Sequence, residues 1–212
     1  MLAVQDLGFG YRRGEPIIED LSQRFESGSV TAVTGRSGSG KSTLLYLLGL
    51  LLTPDWGRVA VGEIRDASGL SDRARSVLRA QRVGFVFQDA VLDPARTVAD
   101  NVAEGGLYAG VGRRRAIEAA HRLLDRFEVG LRADHRPGEV SGGQAQRVAL
   151  CRALVNGPPV ILADEPTGNL DPVTAQVVID ALADAAHHDG ATVVIASHDP
   201  HIAQACDRVV SL

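Results

Sequence analysis

The chain has 212 residues, 45% of them hydrophobic and 23% charged, enough to bury roughly 70% of its unfolded surface in one domain or at most two. Its net charge of −4 gives no reason to expect non-specific nucleic-acid binding, and its two distant cysteines, Cys151 and Cys206, form neither a disulfide framework nor a C-x-x-C zinc site. The longest apolar run, LLYLLGLLL at 44–52, is shorter than the ~20 residues that span a bilayer, and the opening residues lack signal-peptide features, so a cytoplasmic protein is expected.

The first 30 residues, LAVQDLGFGY and PIIEDLSQRFESG among them, read as short strands joined by turns in an antiparallel layer. SVTAVTG at 29–35 is a β-branched strand that runs into GRSGSGKST at 35–43 and then into KSTLLYLLGLLL, a helical stretch. Gly35 to Ser42 satisfy G-x-x-x-x-G-K-[ST] between a strand and a helix, the context a phosphate-binding loop requires. Gly35, Gly38 and Gly40, with Ser37 and Ser39 between them, let the backbone wrap a phosphate chain with its N–H groups inward, and the helix adds its positive end. Of the 22 basic residues, 21 are arginine and one, Lys41, is lysine. A compact ammonium on a flexible stem suits a crevice too narrow for a planar guanidinium and reaches the β- and γ-phosphates. Ser42 offers a hydroxyl to Mg²⁺, and Thr43 completes the candidate nucleotide contacts.

VGFVFQ at 83–88 reads as a strand ending in Gln88. Residues 89–156 contain no convincing strand and at least two helices, RRAIEAAHRLLDRF and GGQAQRVALCRALV, so they read as a helical insertion between strands of a core formed by about 1–88 and 157–212. Within NVAEGGLYAG, Gly105 and Gly106 are expected to weaken a helix by about 1 kcal/mol each relative to Ala. VILADEP at 160–166 is a buried strand delivering Asp164 to its carboxyl end for a metal's water shell, with Glu165 beside it to orient or deprotonate an attacking water. DPVTAQVVIDALADAA reads as a helix and TVVIASH at 192–198 as a strand, a final strand is expected at about Leu212, and no regulatory domain is expected. Apolar strands alternating with amphipathic helices predict an α/β fold with a largely parallel sheet covered on both faces and a ligand at the strands' carboxyl ends.

Ser141-Gly142-Gly143-Gln144 stands directly before the helix QAQRVALCRALV, where Ser141 can cap and two glycines expose backbone N–H groups. Together with Asp164-Glu165 downstream it resembles the signature of ABC-type ATPases, and the resemblance covers essentially the whole chain. It implies a P-loop nucleotide-binding domain with a mostly parallel core, an N-terminal antiparallel β layer and an inserted helical subdomain. It implies ATP and Mg²⁺ as cofactors, each ATP lying between the phosphate loop of one subunit and the signature of another in a head-to-tail dimer. Tyr11 resembles the family's adenine-stacking aromatic, Gln88 its metal- and water-sensing glutamine, Asp171 its dimer-contact loop and His198 its switch histidine at the γ-phosphate. The implied catalytic set is Glu165, His198 and Gln88, and the implied metal set Ser42, Gln88 and Asp164.

SGSGKSTLLYLLG, HRPGEVSGGQAQRVALCRAL and DEPTGNLD look most like the lipoprotein-releasing, macrolide-export and cell-division group, whose members work with permeases bearing large external domains. The expected partners are therefore an integral-membrane permease, through which the chain is held peripherally on the inner face of the cell membrane, and a second ATPase subunit, as an ATP-dependent homodimer. Members that act on DNA or ribosomes usually carry long coiled coils or two cassettes, and neither is present here; no nucleic acid is expected. A module that binds ATP only in order to dimerise is disfavoured by the intact Glu165 and His198. Three departures from the family are Val140 for the usual Leu, Cys151 for the usual Ala, read as a small packed hydrophobe, and NVAEGGLYAG at 101–110, where relatives usually carry an apolar, proline-containing run beside the surface that receives the permease.

Overall fold

The computed structural model describes every residue from 1 to 212 except Arg13 and Asn169. Strands β1 (Leu2–Phe9) and β2 (Ile18–Phe25) pair antiparallel as expected. After β3 (Ser29–Thr34) and α1 (Lys41–Leu48), strand β4 (Trp56–Val61) joins the far edge of β1 to complete a β2-β1-β4 sheet. The chain continues through α2 (Asp72–Arg82), β5 (Val83–Val86), α3 (Val98–Tyr108), α4 (Arg113–Arg126), two short 3-10 turns and α5 (Gly142–Leu154). It closes with β6 (Val160–Asp164), α6 (Pro172–His187), β7 (Thr192–Ala196), α7 (Pro200–Ala205) and β8 (Arg208–Ser211). Strands β5-β6-β7-β3-β8 form a parallel sheet in that order. Between β5 and β6 the described residues hold helices and no strand.

The central strands are apolar throughout because both of their faces are covered. Ile161, Ala163, Val193 and Ile195 pack into a core shared with α3 to α6, whereas Val160, Leu162, Val194 and Ala196 pack into a second core with α1 and the antiparallel sheet. Helix α1 is held almost wholly by burial: Leu44, Leu45, Leu47 and Leu48 are all 0% exposed, each contributing about 1.5–3 kcal/mol of transfer free energy.

The sequence run at 41–52 is not one helix. Leu50 adopts a left-handed φ of 58°, its N–H donates to Leu47 O, and Leu51 N–H donates to Tyr46 O, which closes α1 in a Schellman turn at Leu48. Strand β5 likewise stops at Val86, so Phe87 and Gln88 lie beyond it.

Gly105 and Gly106 do not break α3, which runs through both. A Cβ on Gly105 would lie 2.8 Å from Arg152 O and 2.9 Å from Val155 Cγ1, and one on Gly106 would lie 3.0 Å from Ala116 Cβ. The missing side chains let α3 lie directly against α4 and α5, and Asn156 Nδ2 donates to Gly105 O at 2.6 Å across that contact. Packing here outweighs propensity. Gly105→Ala, although alanine is the better helix former, is expected to lower stability by about 1–3 kcal/mol, read as a lower urea midpoint.

At the other end of the sheet, Asp207 Oδ2 accepts the Val30 N–H at 2.8 Å and lies 2.9 Å from His187 Nε2, fastening α6 to the start of β3 and β8. The Val30 N–H above all, with His187 adding to it, holds the Asp207 carboxyl below its ordinary 3.8. Its contribution to stability is therefore complete above that value and lost as pH falls through the lower folded-state value. Thermal unfolding of Asp207→Asn should accordingly show a deficit against the unchanged protein at pH 7 that closes below about pH 4.

Candidate functional site

The phosphate loop leaves β3 and enters α1 at Gly40, whose φ of 95° and the position of Ile17 Cγ2, 2.9 Å from a Cβ placed there, both exclude a side chain. Gly40 therefore caps α1 with no side-chain oxygen, and the helix's positive end stays open to an anion. Lys41 is buried, and its ammonium folds back to donate to Gly35 O at 3.0 Å and Arg36 O at 3.1 Å. Ser39 Oγ is buried with no hydrogen-bond partner among the described residues, a cost that an arriving phosphate oxygen would relieve. Ser37 and Gly38 form the exposed tip. Tyr11 stands at the rim, its hydroxyl 3.5 Å from Thr43 Oγ1 and its ring edge-on to Phe9.

Asp164 ends β6 and is only 4% exposed. Ser42 Oγ donates to its Oδ1 at 2.9 Å, and the Tyr46 hydroxyl donates to its Oδ2 at 3.3 Å. Burial pushes the Asp164 carboxyl above its ordinary value, and the two hydroxyls oppose that push by favouring the charged form. Ser42 and Asp164 are hard oxygen donors, and among the described residues no group of three or more His, Cys, Asp or Glu gathers elsewhere. A donor set this sparse suits Mg²⁺, which keeps waters and phosphate oxygens in its shell, better than it suits a metal caged by protein alone.

Glu165 has a left-handed φ of 44°, strain of about 1–3 kcal/mol that turns its carboxylate toward the end of β7. Its N–H donates to Ala196 O at 2.9 Å, and its Oε2 accepts the Ser197 hydroxyl at 3.0 Å. Oε1 accepts the His198 N–H at 3.1 Å and meets His198 Nδ1 at 2.7 Å, which places the imidazole proton on Nδ1. His198 is otherwise exposed.

Gln88 is exposed and makes no hydrogen bond to Ser42 or Asp164 among the described residues. It lines a cleft of about 200 Å³ with Gly142, Gln146, Pro166 and Leu170. Ser141 caps α5 in a reciprocal box: its Oγ accepts Gln144 N–H at 3.3 Å, and Gln144 Oε1 accepts Ser141 N–H at 2.9 Å. Asp171 caps α6, accepting N–H bonds from Val173 and Thr174, both at 3.0 Å, and Thr174 is the nearest neighbour of Gly143. The Thr174 hydroxyl above all holds the Asp171 carboxyl below its ordinary value. Asn169, within the GNLDP run, lies outside the described residues.

The structure thus gathers Lys41, Ser42, Asp164, Glu165 and His198 at the carboxyl ends of the interior strands β3, β6 and β7 and sets Ser141 to Gln144 apart at the exposed start of α5. Three further residues join these groups. Tyr46 is one helical turn from Ser42, an i,i+4 relation that could have exposed it, and Ser197 simply precedes His198. Gln146, a polar residue on the apolar side of α5, donates both to Phe87 O at 3.1 Å and to Pro166 O at 3.3 Å. Cys151 is fully buried and its thiol is pushed up to about 12 by desolvation, which excludes it as a nucleophile.

Residues 18–168 match the ABC transporter family. The chain is 46% identical to the lipoprotein-releasing system ATP-binding protein LolD of Cereibacter sphaeroides over 216 residues, covering 100% of this chain and 96% of that one. It is 42% identical to the LolD of Paramagnetospirillum magneticum over 214 residues, at 100% and 94% coverage. Among solved structures, the dimeric post-hydrolysis state of the ATP-binding cassette MJ0796 bound to ADP and Pi superposes with a TM-score of 0.93 at 33% identity, covering 100% of this chain and 94% of that one. A phosphate loop, a buried carboxylate facing it and a capped signature helix, on a chain matched from end to end by such relatives, mean that this protein belongs to the ABC transporter family, as an ATP-binding and ATP-hydrolysing subunit.

Proposed function

We propose that two copies of this chain, held at the inner face of the cell membrane by an integral-membrane permease, close head to tail around two ATP molecules and thereby drive that permease in lipoprotein release. Each copy forms one cassette, a core of about 1–88 and 157–212 and a helical lobe of about 89–156. The observation that carries this reading is the placement of the two helix N-termini. Helix α1 packs on one face of the β5-β6-β7 sheet and α5 on the other. No hydrogen bond among the described residues joins Ser141 to Gln144 with the phosphate loop. A signature exposed on the far side of the sheet from the loop is supplied to the nucleotide of a second chain more readily than to its own. The lipoprotein assignment rests on the named relatives.

In this reading Lys41 exchanges its two carbonyl acceptors for the β- and γ-phosphates, and Tyr11 stacks on the adenine. Ser42 and Asp164, joined by Gln88 once its loop turns inward, would hold Mg²⁺, which would supply positive charge against the β- and γ-phosphates. Glu165 orients the attacking water and takes its proton, with Ser197 and His198 fixing the carboxylate from the end of β7. His198, freed at its outer edge, presents the imidazole to the γ-phosphate. Asp171 and the α6 start brace the signature at the contact between copies. No helix among the described residues is long and apolar enough to cross a membrane, so a permease would supply the membrane path.

Glu165→Gln keeps the shape of the carboxylate and removes its basicity. With saturating Mg-ATP it should elute as a dimer by light scattering and release no phosphate, and a monomer under those conditions would overturn the head-to-tail model. Lys41→Ala should weaken ATP binding about 10- to 100-fold by calorimetry, the worth of a charged hydrogen bond to phosphate.

A further inference from the structure

Tyr46 takes no part in the chemistry just described, yet it touches both the metal carboxylate and the outer surface of the core. Its hydroxyl donates to Asp164 Oδ2 at 3.3 Å, the oxygen that Ser42 leaves free. Its ring packs on Phe85 with centroids 5.8 Å apart, and Phe85 stacks on Phe87 at 4.3 Å. Phe85 and Phe87 in turn line an open groove of about 600 Å³ beside Val77, Tyr108 and Arg152. The backbone of Phe87 is gripped from α5 by Gln146.

We propose that Tyr46 is a positioning residue whose hydroxyl fixes the Asp164 carboxylate and whose ring passes the carboxylate's setting through Phe85 to Phe87 at the groove. Two hydroxyls on opposite oxygens pin the plane of a buried carboxylate, and with one removed the group is free to turn about its terminal torsion, which is soft. Ser42 sits at the mouth of the loop, where a cation and phosphates arrive, so its bond to Asp164 is the one that must rearrange. Tyr46, a turn further into the core, is the donor that stays. Because aromatic rings in contact move together in a close-packed interior, a shift at Oδ2 reaches the groove through Phe85 and Phe87, side chain to side chain. Tyr46 thus couples the metal site to an exposed surface.

The proposal rests on the ATPase reading above, and the test separates the two. Tyr46→Phe and Phe85→Leu are prepared in the full chain with 4-fluorophenylalanine placed site-specifically at position 87 alone. ADP affinity is measured by calorimetry in EDTA, then Mg²⁺ is titrated into the ADP complex while the fluorine resonance is followed. Absence of ADP binding by the unchanged protein would sink the ATPase reading and leave Tyr46 aside. The expected result is that Tyr46→Phe binds ADP in EDTA as the unchanged protein does but needs about tenfold more Mg²⁺ for half-saturation, the worth of a hydrogen bond to a charged group. In the unchanged protein Mg²⁺ shifts the Phe87 resonance, and in Tyr46→Phe it does not. Phe85→Leu, which leaves the pair with Asp164 intact, should keep the normal Mg²⁺ requirement and lose the Phe87 shift. An unaltered Mg²⁺ requirement in Tyr46→Phe, or a Phe87 shift that survives in Phe85→Leu, overturns the proposal.

Discussion

The site depends first on the register of three parallel strands. Val33 of β3 stands opposite Ala196 of β7, and Ala196 stands opposite Asp164 of β6. The phosphate loop, the Asp164 carboxylate and the Ser197-His198 pair therefore leave the sheet at nearly one level, although the first lies more than a hundred residues before the other two in the chain. Strand alternation adds a direction: Val160 and Leu162 face α1, so Asp164 faces α1 as well, where Ser42 and Tyr46 wait. A slip of one residue in β6 would send Asp164 to the opposite face and Ala163 into its place. The apolar pattern of the strand, written for a core on each face, is thus also what aims the carboxylate.

Alternation alone would point Glu165 away from Asp164 and toward the α5 side. The left-handed turn at Glu165 overrides it, bonded at its N–H to Ala196 O, and two adjacent carboxylates come to sit in different surroundings. Asp164 is buried and held by two hydroxyls, a setting for a ligand that must stay where it is. Glu165 lies closer to solvent with donors from Ser197 and His198, a setting from which a proton acceptor can exchange one partner for another. The strain at a single residue thus gives two neighbouring carboxylates the different surroundings that the proposed metal ligand and the proposed base require.

Most of this architecture was legible because it is written in short-range patterns. The four central strands, the phosphate loop, the capping Ser141 and the helices after it each carry their own local signal in the sequence. The misreadings have physical causes of the opposite kind. The helix of 41–52 ends early because Leu50, not the glycine before it, takes the left-handed position, and propensity gives no warning of that. Gly105 and Gly106 look like helix breakers until Arg152 and Ala116 are seen in the space their side chains would need. Strand β4 is short and pairs with β1 across more than fifty residues of sequence, so nothing local marks it as part of that sheet. Tyr46 and Gln146 were missed because each looks like an ordinary helix residue, and only the fold places a carboxylate or two carbonyls opposite it.

Gln146 shows what the helical segment adds to the site. Its buried amide has both N–H groups committed, one to Phe87 just before Gln88 and one to Pro166 just after Glu165. Leaving either carbonyl unpaired in that interior costs about 1–3 kcal/mol, so α5 cannot slide against the two loops without a penalty comparable to a tenfold change in population. The same helix begins with Ser141, Gly142 and Gly143. A displacement of the start of α5 is therefore borne at once by the loop that carries Gln88 and by the loop that carries Glu165. One side chain ties α5, the loop after the groove-side aromatic pair and the loop that carries Glu165 to one another.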